Sequence, residues 1–156
     1  MIIMELQYTW TDGNDAAFQH FYRITEDYYN ALVGGENNRR SFIPYNLSEM
    51  VEGVLIVYSG EKPVACAGYK RYSQTDAEIK RVWVEPEYRG RHIAAELMRM
   101  LEERIAVQGF ERAILQTRES MTAAVRLYLG LGYRQIGNYP PYDKLDGAVC
   151  FAKKLK

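Results

Sequence analysis

The sequence predicts a mixed α/β sheet with the element order β-α-β-β-β-α-β-α-β-β, in one domain over residues 1–156. Three observations support this prediction. A chain of this length can bury a stable core without disulfide bonds or structural metal ions. Short runs of β-branched and aromatic residues are separated by turn residues, and other segments carry apolar residues at helical spacing. Because no repeat, linker or low-complexity segment interrupts this order, a single domain is expected.

The first two elements are a strand and an aromatic helix. Residues 3–10 alternate loosely and predict a strand, and residues 15–33 predict a helix capped by Asp12 or Asn14 and ended by Gly34-Gly35. Two interpretations of the helix's aromatic face stay open. It is either an ordinary core face, or its tyrosines line a substrate cavity, because phenols prefer a wet edge. The residues of this face are Phe18, Phe21, Tyr22, Tyr28, Tyr29 and Leu32.

The middle of the chain predicts three antiparallel strands and a helix. Residues 52–59 and 63–72 are joined by a turn of hairpin composition, and a strand over residues 77–84 follows a second turn. Residues 91–108 predict an amphipathic helix that Gly109 ends. A strand over residues 111–117 is expected to lie parallel to 77–84, because a helix connects the two. The buried stripe of the helix is Ile93, Leu97, Leu101 and Ile105.

The remaining segments are a loop and the closing elements. Residues 36–48 have no clean period and contain a proline, which predicts a loop. Ser120 is predicted to cap a helix over residues 121–130. Residues 132–139 and 147–155 predict the two closing strands.

A basic turn stands out between the third middle strand and the helix that follows. Pro86 ends the strand, and the turn Arg89-Gly90-Arg91-His92 opens into the helix. The unpaired N–H groups at a helix N-terminus and the positive end of its dipole favour an anion there. The turn has neither the glycines of GxGxxG nor the GK[ST] of a P-loop.

The turn resembles the acetyl-CoA motif [QR]-x-x-G-x-[GA] of the GNAT superfamily of N-acetyltransferases. Arg89 and Ala94 match its ends, and His92 stands in place of its middle glycine. His92 is expected to donate its backbone N–H if its backbone angles are helical. Residues 77–81, Leu127-Tyr128 and Gly132-Tyr133 are similar to the family's other signatures, in the expected order.

The resemblance implies the family's fold, acetyl-CoA as acyl-donor cosubstrate, and a set of cofactor-binding residues. In the family the backbone N–H groups of the β-strand contact the acetyl carbonyl and the pantetheine arm, which implies those roles for Val82 and Val84. The family's common asparagine near the next helix is replaced here by Met121, which removes one CoA-orienting contact. The implied cofactor-binding residues are Val82, Trp83, Val84, Arg89, Gly90, Arg91, His92, Ile93 and Ala94.

Two residues are candidates for the chemistry of acyl transfer. An alkylammonium has a pKa of about 10.4, so a base must remove its proton before it attacks the thioester. Glu78 lies where many family members have a catalytic glutamate; the alternative is a strand-end salt bridge with Lys80 or Arg81. Tyr128 matches the family tyrosine beside the CoA sulfur, where a phenol can protonate the departing thiolate; the alternative is a core tyrosine. Strict alternation places Glu78 on one face with Val82 and Val84, unless a bulge intervenes.

The acceptor site is expected in the variable loop and near the C-terminus. In the family the region of residues 36–48 covers the acceptor, and small bacterial members have a similar YxxY and CFxK-like tail. Each candidate also has a plain interpretation, as part of a solvated basic loop or of a packed Pro-rich turn. The candidate substrate contacts are Arg39, Arg40, Phe42, Tyr45, Tyr139 and Tyr142.

Composition limits the remaining classes. Lys+Arg and Asp+Glu both number 20, and this neutral balance argues against nucleic-acid or membrane partners. The apolar N-terminus is too short for a signal peptide or a membrane span. Cys66 and Cys150 are predicted to be reduced packing residues without a histidine partner, which favours direct transfer over a covalent enzyme intermediate. With only two histidines, no metal site is expected.

These observations together predict a cytoplasmic acetyl-CoA-dependent N-acetyltransferase that acts on a small primary amine in a ternary complex, as a possible homodimer. Two alternatives stay open. One is a protein or peptide N-acetyltransferase. The other is a non-catalytic acyl-CoA-binding regulatory module, which would keep the Arg89–Ala94 turn and need neither Glu78 nor Tyr128.

Overall fold

The computed structural model describes residues 5–32 and 51–155, which form a seven-stranded sheet in the order β1-β2-β3-β4-β5-β7-β6 with three α-helices. This agrees with the predicted mixed sheet and element order. The strands are β1 Leu6–Thr11, β2 Gly53–Ser59, β3 Lys62–Arg71, β4 Asp76–Val84, β5 Arg112–Arg118, β6 Arg134–Ile136 and β7 Ala148–Lys154. The helices are α1 Ala16–Leu32, α2 Ile93–Val107 and α3 Thr122–Gly130.

The pairing of the central strands confirms the prediction and adds one important detail. β2, β3 and β4 are antiparallel neighbours, and β5 lies parallel to β4. The β4–β5 pairing includes only Asp76–Glu78 opposite Arg112–Ile114. Because the rest of each strand does not pair with the other, the sheet opens between them at the carboxyl ends of β4 and β5.

The two faces of the sheet carry separate cores. The predicted α2 stripe of Ile93, Leu97, Leu101 and Ile105 is buried in the larger core. Phe18 and Phe21 of α1 are buried in the core on the opposite face, together with Val54 and Ile56 of β2. The two strand positions 54 and 56 thus alternate with Leu55 and Val57, which face α2.

Helix α2 ends in the manner that its glycine predicts. Gly109 has φ +97°, and its N–H donates to the carbonyl of Ala106. The N–H of Phe110 donates to the carbonyl of Ile105, which completes a Schellman arrangement. This turn satisfies two carbonyls of the last helical turn and buries Phe110 in the core.

Three predicted features of the chain ends and caps were wrong. The side chain of Asp15, and not of Asp12 or Asn14, caps α1, because it accepts from the N–H groups of Ala17 at 2.8 Å and Phe18 at 3.3 Å. Helix α3 begins after Met121 without a side-chain cap, so Ser120 does not cap it. Strand β6 has three residues in place of the predicted eight, since residues 137–147 turn away to form a loop. The predicted end of α1 at Gly34-Gly35 and the loop 36–48 lie outside the described residues.

Strand β4 contains the bulge that the sequence left open. Cys66 pairs with Trp83 and Gly68 pairs with Lys80, so Arg81 and Val82 oppose one residue of β3. Arg81 has φ +59°, in the left-handed region. The extra residue reverses the alternation, and strict alternation therefore fails: Val82 and Val84 face the α2 core, whereas Trp83 faces the α1 core.

Candidate active site

A cleft of about 410 Å³ occupies the opening between β4 and β5. Glu78 is the last β4 residue that pairs with β5, so the opening begins directly after it. Its walls come from the end of β4, the turn and start of α2, helix α3 with the two residues before it, and Tyr28 of α1. Its lining residues are Tyr28, Val82, Trp83, Val84, Arg89, Ala94, Ser120–Ala124, Leu127 and Tyr128.

The N-terminus of α2 borders this cleft. Ala94 lines the cleft, and the first N–H groups of a helix have no intrahelical partner. His92 precedes the helix with φ +63° and ψ +16°, which is left-handed. The condition under which His92 was expected to donate its backbone N–H, a helical backbone, is therefore not met. His92 adopts the conformation that glycine adopts most easily, which explains physically why the motif has glycine there.

The side chains of the basic turn hold the turn in place. The Nε of Arg89 donates to the carbonyl oxygen of Val84 at 2.9 Å, and its guanidinium lies 4.8 Å from the ring centre of Trp83. The Arg91 guanidinium lies 5.1 Å from the ring centre of Tyr88. Arg89 thus lines the cleft as a fixed cation, next to the helix N-terminus. Gly90 is exposed with φ +77°, and the side chain of Ile93 belongs to the core.

The backbone of β4 presents N–H groups to the cleft. The N–H of Glu85 donates to the carbonyl of Val64 on β3 at 2.9 Å. Because N–H direction alternates along a strand, the N–H of Val84 points to the opposite edge, and the two-residue repeat directs that of Val82 the same way. That edge is the one from which β5 has diverged, so an extended ligand in the cleft can accept hydrogen bonds from both residues.

Tyr128 is a nearly buried residue of the cleft lining. It is 7% exposed, lines the cleft from α3, and packs with its ring centre 6.0 Å from that of Tyr133 and 6.4 Å from that of Phe151. The two interpretations of Tyr128 are thus compatible: its ring belongs to the core while its side chain also reaches the cleft.

Trp83 and Tyr28 form an aromatic wall that the family motif does not identify. Their ring centres lie 5.4 Å apart in an edge-on arrangement, and both residues line the cleft. The indole Nε1 of Trp83 is buried and has no hydrogen-bond partner within the described residues. A buried donor of this kind favours a ligand that carries an acceptor oxygen. Among the predicted tyrosines of α1, Tyr28 is thus at a cavity; the side chains of Tyr29 and Leu32 lie outside the described residues.

Glu78 lies in a buried polar cluster on the sheet face opposite α2. It is 2% exposed, and its Oε2 accepts a hydrogen bond from Tyr139 at 2.7 Å. Its Oε1 lies 3.7 Å from the Nζ of Lys80 and 4.0 Å from that of Lys70. The salt bridge proposed with Lys80 is present, whereas Arg81 pairs instead with Glu26 of α1. Glu78 does not line the cleft; it lies where the cleft begins.

The cluster joins β4 to the loop between β6 and β7. Lys80 donates to the hydroxyl of Tyr142 at 3.0 Å, and Tyr72 donates to the carbonyl of Pro140 at 2.6 Å. Burial raises the pKa of the Tyr139 and Tyr142 phenols, and the nearby Glu78 carboxylate raises them further. Burial also lowers the pKa of Lys80 to about 8, although Glu78 opposes that shift. The predicted acceptor contacts Tyr139 and Tyr142 thus belong to the Glu78 cluster and not to the cleft lining.

The other predicted site features have simple outcomes. Cys66 and Cys150 are both free and buried, and burial raises the pKa of each thiol. Among the residues that the structure describes, no group of three His, Cys, Asp or Glu side chains is arranged to hold a metal ion. No described helix is both long and apolar enough to cross a membrane. Arg39, Arg40, Phe42 and Tyr45 lie outside the described residues.

Sequence reasoning missed several residues of the site. Ser120–Ala124 line the cleft because α3 starts at its rim, and a boundary of this kind carries no motif of its own. The hydrogen bond of Lys80 with Tyr142 was not predicted, because the two residues lie 62 positions apart in the chain.

Comparisons with known proteins agree with this geometry. The model of the Acetyltransferase (GNAT) family matches residues 8–133. Among curated relatives, N-acetyltransferase 8B of Rattus norvegicus is 30% identical over 100 residues, which is 61% of this chain and 45% of the relative. The N-alpha-acetyltransferase RimI of Mycobacterium tuberculosis is 29% identical over 102 residues, which is 62% of this chain and 61% of the relative. This chain therefore spans less than two thirds of either relative.

A solved structure shares the fold over nearly the whole chain. The PaiA N-acetyltransferase of Thermoplasma acidophilum, solved in complex with coenzyme A, superposes with a TM-score of 0.74 at 15% identity, over 97% of this chain and 99% of that one. At this identity the likeness concerns the fold. Since the family model spans most of the sequence and the motifs predicted the same relationship, the chain belongs to the acetyltransferase (GNAT) family.

Proposed function

We propose that the protein is an acetyl-CoA-dependent N-acetyltransferase that moves the acetyl group to a primary amine of a small molecule. The observation that carries this proposal is the cleft at the opening between β4 and β5, which Arg89, Ala94 at the start of α2 and Tyr128 all line. A phosphate-bearing extended thioester needs an anion site, a strand edge and a proton donor in that order. All three line this cleft.

In the proposed complex the pyrophosphate of acetyl-CoA binds at the N–H groups of the Arg89–Ala94 turn, near the guanidinium of Arg89. The pantetheine arm runs along β4, where the N–H of Val84 holds it and the N–H of Val82 polarises the acetyl carbonyl. Trp83 forms another wall of the cleft in which the pantetheine arm lies. These roles are supported by the cleft lining and by the direction of the backbone N–H groups.

The reaction is a direct transfer between two bound substrates. The acceptor ammonium first loses a proton to Glu78, directly or through a water molecule. The free amine attacks the thioester carbon, the tetrahedral intermediate collapses, and the thiolate leaves with the proton of Tyr128. The phenolate takes up the second proton of the former amine nitrogen, and Glu78 releases the first proton to solvent, so that the net products are the amide, free CoA and one proton. Neither cysteine takes part, because both thiols are buried and their pKa is raised.

The acceptor is proposed to be a small molecule, and a peptide is the second candidate. The relative named N-alpha-acetyltransferase RimI favours the second. We place the reaction in the cytoplasm, and a homodimer is compatible with the proposal. A regulatory module that only binds acyl-CoA would use the same cleft without needing Glu78 or Tyr128.

The first test is calorimetric titration of the protein with acetyl-CoA, followed by a thiol-release screen over amines, amino acids, polyamines and short peptides. Micromolar binding with CoA release for one small-amine class supports the proposal. Release only with peptides favours the peptide acceptor, and binding without release for any acceptor favours the regulatory module. The control is Arg89→Glu, which brings a negative charge to the phosphates and is expected to weaken binding at least tenfold. Unaltered affinity in that variant places the anion elsewhere.

A further inference from the structure

Arg81 stands out because it is an arginine in a conformation that suits glycine. Its φ of +59° falls in the left-handed region, in the middle of a nine-residue strand. Left-handed backbone in a residue with a Cβ lowers the folding equilibrium constant by a factor of about 5 to 30. Such strain persists where the surrounding structure over-determines the conformation, and it is concentrated at functional sites.

The bulge at Arg81 decides which groups of β4 reach the cleft. Before it, Ala77 and Ile79 face the α2 core, and an unbroken alternation would send residue 81 there next. Because one residue is inserted, Val82 and Val84 take the α2 side and Trp83 takes the α1 side, where it packs with Phe18 and Phe21. Without the bulge the register of these cleft residues would shift by one, and Trp83 would exchange faces with them.

The Arg81 side chain is held by helix α1. Its Nη1 donates to the hydroxyl oxygen of Thr25 at 2.9 Å, and its Nη2 pairs with Glu26. Its guanidinium carbon lies 4.4 Å from the ring centre of Tyr22. The side chain is only 5% exposed, and that of Glu26 is 16% exposed, so this ion pair is shielded from solvent.

We call the contacts of Arg81 with Thr25 and Glu26 the clamp. Two further hydrogen bonds stabilise it, one within α1 and one at the backbone of Arg81. The Thr25 hydroxyl donates to the carbonyl of Tyr22 at 3.0 Å, which turns its lone pairs toward Arg81. On the strand, the Cys66 thiol donates to the carbonyl oxygen of Arg81 at 3.3 Å. Burial raises the pKa of the Cys66 thiol, so it keeps the proton that it donates. The backbone and the guanidinium of Arg81 are thus anchored on two different elements.

We infer that Arg81 is a positioning residue: its buried clamp to Glu26 and Thr25 of α1 holds the left-handed bulge that aligns the Val82 and Val84 N–H groups and the Trp83 wall for the acyl donor. The inference rests on the proposed function for the identity of that donor. It also gives α1 a role in donor alignment beyond its core packing, in addition to the Tyr28 side chain that lines the cleft.

The decisive comparison is between Arg81→Gly and Arg81→Ala. At an ordinary strand position glycine is less stable than alanine. If the left-handed bulge is required, the order reverses, because glycine adopts φ +59° without a Cβ penalty. Since glycine also adds entropy to the unfolded chain, we expect urea denaturation to give Arg81→Gly a folding equilibrium constant about two- to fivefold larger than that of Arg81→Ala. Arg134 on β6, which is exposed and not left-handed, is the matched control and should show the ordinary order. The same order at both sites would overturn the inference.

The second experiment measures the alignment of the Val82 and Val84 amides directly, by NMR with selective ¹⁵N-valine labelling and acetyl-CoA titration. In Arg81→Gly the Val82 and Val84 amides should keep nearly the shifts of the unaltered protein and respond to acetyl-CoA. In Arg81→Ala the chemical shifts of both amides should differ from those of the unaltered protein. Turnover should fall at least tenfold, while the affinity for free CoA changes less than threefold. Identical spectra and turnover in the two variants would contradict the inference.

Glu26→Gln keeps the size of the clamp partner and removes its charge. It provides an alternative test of the clamp if an Arg81 variant does not fold. It should lower turnover severalfold in the unaltered background and have no further effect when combined with Arg81→Gly, because the clamp is then already absent. Additive losses would overturn the inference. If acetyl-CoA changes the chemical shift of no valine amide in the unaltered protein, the proposed function fails instead. The relative stability of Arg81→Gly and Arg81→Ala still decides the role of the clamp.

Discussion

The hydroxyl of Tyr139 donates a 2.7 Å hydrogen bond to Oε2 of Glu78, across the face of the sheet at the point where the cleft begins. With Lys80 and Lys70 near the other carboxylate oxygen, both oxygens of Glu78 face donors or positive charge. A catalytic Glu78 must therefore exchange one of these partners for the acceptor ammonium or for a water molecule.

Glu78→Gln tests this role. The amide keeps the shape of the side chain but cannot take a proton, so turnover should fall by about 10²-fold or more while acetyl-CoA affinity stays within about threefold. Steady-state kinetics with calorimetry on the same preparation measures both. The control is Glu102→Gln, because Glu102 has equivalent tyrosine and lysine partners, Tyr133 at 3.0 Å and Lys153 at 2.7 Å, and does not line the cleft. If the two variants lose only stability, and to the same extent, Glu78 is a structural ion-pair residue.

Tyr128→Phe tests the proton donor. The substitution removes one oxygen and keeps the ring that packs against Phe151. Turnover should fall by about 10²-fold, because the thiolate then leaves without a positioned acid, while acetyl-CoA binds with nearly unchanged affinity. Tyr133→Phe is the matched control, since it removes a neighbouring hydroxyl that binds Glu102 outside the cleft. A rate equal to that of the control would remove Tyr128 from the mechanism.

Lys80→Arg tests the buried ammonium through the pH dependence of stability. Burial lowers the pKa of Lys80 from 10.5 to about 8 in the folded protein. Between these values the unfolded chain binds more protons than the folded protein, so the Lys80 contribution raises stability as pH rises. Below about pH 8 lysine is charged in both states, and the contribution is constant. Arginine stays charged throughout and removes the effect.

The free energy of unfolding of the unaltered protein, minus that of Lys80→Arg, should therefore rise by about 2 kcal/mol between pH 7.5 and 9.5. The difference is the useful quantity because Cys66 and Cys150 act in the opposite direction. Burial raises the pKa of both thiols, so they favour the unfolded chain as pH rises. Both proteins carry these cysteines, and their effect cancels. Parallel stability curves for the two proteins would show that Lys80 has an ordinary pKa.

The elements of the fold were predictable because their signals are local. The α2 stripe from Ile93 to Ile105, the stop at Gly109 and the two-residue turn of the β2–β3 hairpin each depend on neighbouring residues only. The caps were less predictable, since Asp12, Asn14 and Asp15 all have a suitable side chain and only the chain path selects Asp15. Strand β6 is short because its length depends on where β7 can pair with it.

The candidate site was predictable where a motif carries it and not where distant segments meet. Arg89, Ala94 and Tyr128 were placed by motif, and all three line the cleft. Tyr139, which donates to Glu78, lies 61 positions later in the chain, and no periodicity reports such a contact. The contact of Arg81 with Glu26 of α1, which lies 55 residues earlier in the chain, could not be predicted from sequence for the same reason.

His92→Gly tests the last unusual feature of the basic turn. His92 is left-handed where the family motif has glycine, and a residue with a Cβ adopts that conformation at a cost of about 1–2 kcal/mol. Glycine removes this cost but adds entropy to the unfolded chain, so the net gain in the free energy of unfolding should be about 0.5–1 kcal/mol. Urea denaturation measures it, and calorimetry should find acetyl-CoA affinity unchanged or tighter, because the backbone N–H groups keep their positions.

The neighbouring Arg91→Gly is the matched control for stability, because Arg91 belongs to the same turn and is not left-handed. There glycine brings the entropic cost and also removes the contact with Tyr88, so it should lower the free energy of unfolding. A second variant, His92→Asn, should fall between histidine and glycine, since asparagine tolerates the left-handed region better than most residues. If His92→Gly destabilises the protein as much as Arg91→Gly, the left-handed turn is not strained, and histidine stabilises it through contacts of its side chain.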